Sequence, residues 1–279
     1  MKTYLVTGGS TGIGRATAER LDRAGHRVFA SVRSDDHAAE IRKTGSERLQ
    51  PVTLDVTDAG SIAGAAEHVA GACGESGLDG LVNNAGTAFA GPLEYLPIDD
   101  LRKQIEINLI GQVAVTQALL PALRKARGRI VFVSSVGGRI ALPFNGAYNA
   151  SKFGIEAVGD SLRQELRPWG MEVVLVEPGA VATPIWDKGV ARADEVVDLD
   201  SDDDPLYGSR LRRFRDLALE IGRGGVHPDE VATVIEEALT KETPRTRYLV
   251  GRDAKLRARL RRIVPDRTFD RLVARQIDR

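Results

Sequence analysis

The chain has 279 residues, 42% of them hydrophobic and 28% charged, with 39 basic and 39 acidic side chains and a formal net charge of zero. That composition suits one large or two small folded domains around a sizeable core, and the balanced charge gives no global field for nucleic acid or an acidic partner. A single cysteine, Cys73, rules out an internal disulfide and a thiolate cluster, and His26, His37, His68 and His227 lack ligand spacing, so no metal is expected.

The opening "MKTYLVTGG" passes straight into a strand pattern with no signal-peptide apolar region. No run approaches the ~18 apolar residues of a bilayer span, so a reducing, cytoplasmic compartment is expected, without a transmembrane segment. Strand "TYLVT" leads into "GGSTGIGRA", where Gly8, Gly12 and Gly14 precede a helix near Ile13–Ala24. Bare backbone there lets a pyrophosphate approach, and the helix N-terminus supplies N–H donors and a positive dipole end.

The second strand, "RVFASV", is followed by Arg33. An acidic residue in this region would bind the 2′-hydroxyl of NAD, whereas a guanidinium suits a 2′-phosphate. Ser10 and Thr11 could add hydroxyl donors to that phosphate. Asp35 and Asp36 lie close by, so NADP(H) is preferred and NAD(H) is not excluded. A helix near Asp36–Lys43 leads to "PVTLDV", whose Asp55 could accept from an adenine amino group, and then to a helix at Ala59–Cys73. Strand "DGLVNN" ends in Asn83 and Asn84, able to tie strand ends together, with Gly86 permitting close cofactor approach.

A long helix is expected over Asp99–Ala126, then strand "RIVFVSS", which presents Ser135. Tyr148 and Lys152 follow at i and i+4 on a helix near Tyr148–Arg167, whose stripe Ile155, Val158, Leu162 and Leu166 anchors it to the sheet. "MEVVLVEP", a helix near Pro228–Thr240 and a last strand "TRYLVG" complete the alternation. Nearly continuous apolar strands with helical crossovers imply an α/β fold: one doubly wound, mostly parallel sheet of about seven strands with helices on both faces. The domain is expected to span 1–251, with 184–225 as a substrate lid containing an acidic insert at 194–204. A basic helical extension at 252–279 carries Leu256, Leu260 and Ile263 at helical spacing. The extension reads as a solvated face, with a subunit or membrane-surface contact as its functional alternative.

Taken together, these motifs resemble the short-chain dehydrogenase/reductase family. The resemblance rests on T-G-x3-G-x-G at Thr7–Gly14, N-N-A-G at Asn83–Gly86 and Asn108 in "EINLIG". It continues with Ser135, Y-x3-K at Tyr148–Lys152 and P-G-x-V-x-T at Pro178–Thr183. It implies a Rossmann fold and an oxidoreductase interconverting a ketone or aldehyde with an alcohol. Tyr148 would be the general acid and base, its pKa of ~10 brought down by the Lys152 ammonium, a three-unit shift of about 4 kcal/mol. Lys152 would also hold the nicotinamide ribose, Ser135 the substrate oxygen, and Asn108 a water that refills the proton.

By the same resemblance Pro178 and Gly179 shape the nicotinamide pocket and Val181 and Thr183 meet the carboxamide, while Ile13, Val56 and Ala85 line the cofactor groove. Val136, Ile140, Leu142, Phe144, Ile185 and Trp186 form an apolar wall, pointing to a small hydrophobic substrate and the steroid- and retinol-dehydrogenase-like branch. The family commonly pairs subunits through helices equivalent to Asp99–Ala126 and Tyr148–Arg167, so a homodimer or homotetramer is expected. The alternatives are an isomerase or dehydratase of the same superfamily, or a cofactor-sensing binding protein that has lost the catalytic set.

Overall fold

Runs rich in valine, isoleucine and leucine lose little by adopting extended backbone and gain most when both faces are covered. The computed structural model describes residues 1–186 and 206–277 and shows this arrangement. The acidic insert 194–204 and the centre of the expected lid lie outside the described residues.

Strands β1 (Thr3–Val6), β2 (Arg27–Val32), β3 (Leu49–Thr53), β4 (Gly80–Asn83), β5 (Arg129–Val133), β6 (Val173–Pro178) and β7 (Arg247–Val250) form one sheet. Its order is β3-β2-β1-β4-β5-β6-β7, and every neighbouring pair is parallel. Alternate residues of each strand face opposite sides. Tyr4, Val6, Val28 and Val174 join one apolar cluster, which reaches helices α1 (Gly12–Arg23) and α2 (Asp35–Thr44) through Leu21 and Ile41. Leu5, Phe29, Leu81 and Phe132 join the other, under α3 (Ala59–Cys73). The reversal of strand order between β1 and β4 opens a crevice at the carboxyl ends of the strands, where such sheets bind ligands.

The expected helix over Asp99–Ala126 is divided. Helix α4 (Ile98–Ile105) and α5 (Gly111–Ala126) are joined by a π-helical turn, Glu106–Ile110, centred on Asn108. By length and hydropathy Ile98–Ala126 is also the one candidate membrane span among the described residues. Its Val115, Leu119 and Leu123 are buried in the second cluster. Helix α6 (Gly146–Leu166) begins just before Tyr148 and buries Ile155 and Leu166 in the same cluster.

Part of the segment expected to form a lid is helix α7 (Gly208–Arg223), followed by α8 (Pro228–Thr240), which covers the first cluster through Val231 and Ile235. After β7 the extension forms two helices, α9 (Arg252–Ile263) and α10 (Asp266–Ile277). It folds back on the domain. Ala254 is fully buried, and Ile277 enters a third apolar cluster with Ala90, Phe144, Leu211 and Phe214. The stripe read from the sequence is not what anchors it, because Leu256 and Ile263 are 61% and 81% exposed.

Candidate active site

The glycine loop is held from beneath by one hydroxyl. Thr7 Oγ1 accepts the backbone N–H groups of Asn84 and Ala85, each at 2.9 Å, and donates to the Val82 carbonyl. Asn84 returns Nδ2 to the Thr7 carbonyl at 3.0 Å, and Gly8 N–H donates to Ser31 Oγ at 2.8 Å. The ends of β1, β2 and β4 are thereby locked together. Asn83 has a different task, donating to Thr116 Oγ1 at 2.8 Å. Gly8 and Gly12 adopt φ of 64° and 55°, a region that penalises any Cβ. At Gly14 a Cβ would overlap the Gly8 carbonyl oxygen and stand 2.5 Å from Asn84 Nδ2. Gly14→Ala should therefore destabilise the protein by about 1–3 kcal/mol, lowering the melting temperature and weakening dinucleotide binding together.

The loop after β4 hangs from a ladder of amides on α4, the π turn and α5. Gln104 accepts from Phe89 N–H and donates to the Thr87 carbonyl, both at 2.8 Å. Asn108 brackets Thr87 through its N–H and its carbonyl, both at 2.9 Å, and donates to Ser151 Oγ at 3.1 Å. Gln112 donates to the Ala85 carbonyl at 2.8 Å. The Asn108 side chain thus organises the loop beside the site. Gly86 leaves just enough room, since a Cβ there would lie 3.3 Å from Asn108 Oδ1.

Ser135, two residues beyond β5, caps a short 3-10 segment, its Oγ accepting Gly137 N–H at 3.0 Å. Asn149, beside the tyrosine on α6, pins the rest of this loop. It donates to the Gly137 and Ile140 carbonyls at 2.8 and 3.1 Å and accepts Leu142 N–H at 3.1 Å. Gly137 fits between the two because a Cβ would come within 3.2 Å of the Tyr148 ring.

Tyr148 is partly exposed, with its phenol pushed above its ordinary pKa by burial and pulled back by a hydrogen bond with Ser135. Lys152 is 5% exposed and donates Nζ to the Val133 carbonyl at 2.8 Å, 5.7 Å from the Tyr148 ring centroid. Burial lowers its pKa to about 8, against the opposing charge of Glu156 one turn on. The expected depression of Tyr148 by Lys152 is therefore not what this structure displays. Desolvation dominates both groups and leaves a protonated phenol beside an ammonium with a weakened hold on its proton.

A cavity of about 790 Å³ runs from the glycine loop past these groups. Asn108, Ser135, Tyr148 and Lys152 all line it. So do Gly8, Ser10, Thr11, Gly12, Ile13, Arg33, Asp55, Val56, Asn84, Ala85 and Gly86, and so do Pro178, Gly179, Val181 and Thr183. Gly14 instead packs under the loop. A cradle that any Cβ would fill, leading into a cavity of this volume, fits a dinucleotide. Asp35 and Asp36 sit in the first turn of α2, where acidic side chains favour the helix dipole, and the cavity is lined instead by Arg33 and His37. Asp55 takes both Thr57 donors, N–H at 2.9 Å and Oγ1 at 2.7 Å, on one oxygen, which holds its carboxyl below the usual range.

Val136, Ile140, Leu142, Ile185 and Trp186 line the apolar end as expected. Phe144 does not. It takes φ of 63° and lies behind the wall, its ring 5.5 Å from Phe214 and 6.2 Å from Tyr207. Trp186 is fixed by an Nε1 bond to the Val181 carbonyl at 2.8 Å. The sequence reading missed Asn149, Gln104, Thr87 and Asp253. Asp253, on α9, abuts Gly179 and accepts Ala180 N–H at 3.1 Å, so the extension buttresses the pocket. Only Asn149, adjoining the tyrosine motif, carried a local signal.

The short chain dehydrogenase family model matches residues 2–193. Retinol dehydrogenase 16 of Mus musculus is 39% identical over 269 residues, covering 91% of this chain and 82% of its own. The 17-beta-hydroxysteroid dehydrogenase type 6 of Rattus norvegicus is 39% identical over 262 residues, with the same coverage of 91% and 82%. The NADPH-dependent 3-dehydrocapnine reductase of Ornithobacterium rhinotracheale is 34% identical over 277 residues, covering 98% and 96%. Two solved structures share 25% identity: a Burkholderia phymatum short chain dehydrogenase/reductase in complex with NAD (TM-score 0.79, covering 94% and 92%) and a Burkholderia cenocepacia short chain dehydrogenase in complex with NADP (0.74, covering 99% and 99%).

Proposed function

The chain belongs to the short-chain dehydrogenase family of oxidoreductases, in its steroid- and retinol-dehydrogenase-like branch, and on that premise we propose that it interconverts an apolar ketone or aldehyde with the matching alcohol, using NADP(H). The observation that carries this reading is the convergence of Ser135, Tyr148 and Lys152 with the glycine cradle on one cavity.

Gly8, Gly12 and the N-terminus of α1 would hold the pyrophosphate, Asp55 the adenine, Lys152 the nicotinamide ribose, and Pro178–Thr183 the nicotinamide. When bound, the nicotinamide supplies hydride for reduction or accepts it in oxidation. The chain's own residues manage orientation and the proton. Ser135 holds the substrate oxygen, and Tyr148 gives that oxygen a proton in reduction and takes it back in oxidation. The phenol is protonated at neutral pH, the form an acid for reduction needs, and the Ser135 hydrogen bond opposes the rise that burial imposes. Lys152 provides positive charge close to the developing oxyanion.

The apolar lining of Ile140, Leu142, Ile185, Trp186, Phe214 and Leu217 favours a hydrophobic substrate, and the names of the retinol and hydroxysteroid relatives support the same class. Arg33 on the cavity wall, with Asp35 and Asp36 withdrawn to the helix end, supports NADP(H), as does the NADPH in the name of the reductase relative. Exposed Ile110 and Phe153, at 49% and 45%, support self-association through the helices around Asn108 and Tyr148.

The test is absorbance of reduced nicotinamide with a panel of steroid, retinoid and aryl ketones and aldehydes. Turnover with NADPH is expected. Arg33→Ala should raise the dissociation constant for NADPH by roughly 10- to 100-fold, the loss of charge-assisted bonds to a phosphate, while leaving that for NADH unchanged. Equal losses for both cofactors would make the NADP(H) assignment wrong.

A further inference from the structure

The oxidoreductase reading leaves one charged side chain in the cavity without a task. On the dinucleotide side the charged lining is Arg33 and Asp55. Toward the apolar end it is Lys152, Asp253 and Arg257. Lys152 is bonded to the Val133 carbonyl, and Asp253 is bonded to Ala180 N–H. Arg257, one turn beyond Asp253 on α9, makes no ion pair or hydrogen bond with any described residue. Its neighbour Arg261 shows what an arginine in this extension otherwise does, pairing with Asp266 at 2.7 Å and lying 5.6 Å over the Phe269 ring.

Beyond Asp253, whose carboxylate is turned to Ala180 N–H, the wall on this side is apolar. Leu260 on α9 and Phe269, Leu272, Val273 and Ile277 on α10 line the same cavity. Leu260 and Leu272 are 37% and 42% exposed, a cost that an apolar ligand lying along them would remove. A lone guanidinium beside a continuous apolar track matches an amphiphile with an anionic group at one end. Guanidinium is chosen over ammonium where planar oxyanions are read, because its fork gives two parallel N–H bonds. The pyrophosphate is already provided for at the other end of the cavity by bare backbone and a helix N-terminus.

We infer that Arg257 is a specificity-determining residue that selects substrates bearing a carboxylate, sulfonate or phosphate, with the rest of an aliphatic chain lying along the α9–α10 wall. The inference rests on the oxidoreductase reading for the word substrate, but the recognition itself is a binding event and is tested as one. Isothermal titration of NADPH-loaded protein with dodecanoate and with dodecanol compares two probes of equal chain length. The native chain should bind dodecanoate about tenfold or more tightly than dodecanol, the scale of a hydrogen bond to a charged group. Arg257→Leu should bring the two within about twofold of each other, chiefly by weakening dodecanoate, and Arg257→Lys should keep part of the preference. NADPH affinity and melting temperature should stay at native values in both variants.

The inference would be overturned by dodecanoate binding unchanged in Arg257→Leu, or by a loss of NADPH affinity that accounts for the loss of dodecanoate and so assigns the arginine to the dinucleotide. A native chain that favours dodecanoate but reduces no carbonyl compound in the assay above would fail the oxidoreductase reading alone. A chain that reduces ketones and shows no preference between the probes would fail only the present one.

Discussion

Tyr148→Phe should lower kcat for carbonyl reduction about a thousandfold, within the range expected when a positioned proton donor is removed, and leave NADPH affinity within about twofold of native. The ring of Tyr148 packs against Gly137, whose Cβ position lies 3.2 Å from it, and phenylalanine retains that ring, so the cavity wall survives. What goes is the oxygen that bonds Ser135. Single-turnover absorbance of NADPH, together with its fluorescence titration, separates the two effects. Turnover at the native rate in this variant would discard the mechanism. Loss of NADPH binding alongside activity would place the phenol in cofactor binding instead.

Lys152→Met should abolish turnover to a similar degree and yet make the protein more stable. The ammonium is 5% exposed, and burial lowers its pKa from 10.5 to about 8. The folded chain therefore holds this proton more weakly than the unfolded chain does. The penalty is complete below pH 8, shrinks between 8 and 10.5, and vanishes above that. Two and a half pKa units correspond to at most about 3 kcal/mol, offset by roughly 1 kcal/mol for the lost bond to Val133. Thermal unfolding at pH 7 should show Lys152→Met the more stable protein by about 1–2 kcal/mol on that arithmetic, with the advantage gone by pH 10.5. In the native protein the reductive kcat/KM should decline as pH rises through about 8, since that parameter follows ionisation of the free enzyme. A variant that is equally stable at pH 7 and pH 10.5 relative to native would show that the buried ammonium carries no such penalty.

Much of this molecule was legible from local pattern. The strands announce themselves because parallel strands buried on both faces must be apolar without alternation, and Tyr148 and Lys152 because four residues is one helical turn. The glycine spacing is equally local, and it places Gly14 under the loop for a steric reason that one carbonyl oxygen supplies. What the residues concealed depends on partners distant in sequence. Gln104 and Gln112 are ordinary helix polars until they are found to share the Ala85–Phe89 loop with Asn108, and the π turn among them has no one-dimensional signature. Phe144 read as pocket wall because it is large and apolar, but a left-handed backbone angle carries it behind the wall. The extension read as solvated because its arginines dominate its composition. Its attachment is made by Ala254, Asp253 and Ile277 rather than by the stripe Leu256, Leu260 and Ile263. The sense of the Tyr148 shift was missed for a related reason, since spacing supplies a neighbouring charge but says nothing of how dry the site is.

That the last helix closes the cavity has a bearing on synthesis and handling. Every part of the dinucleotide cradle leaves the ribosome before β7, whereas Ile277, on the last described helix, helps wall the opposite end. A nascent chain can acquire its nucleotide seat while the chamber for the second reactant still lacks a side. A purification handle can be placed before Met1, which is 90% exposed and ahead of β1 at the amino ends of the strands.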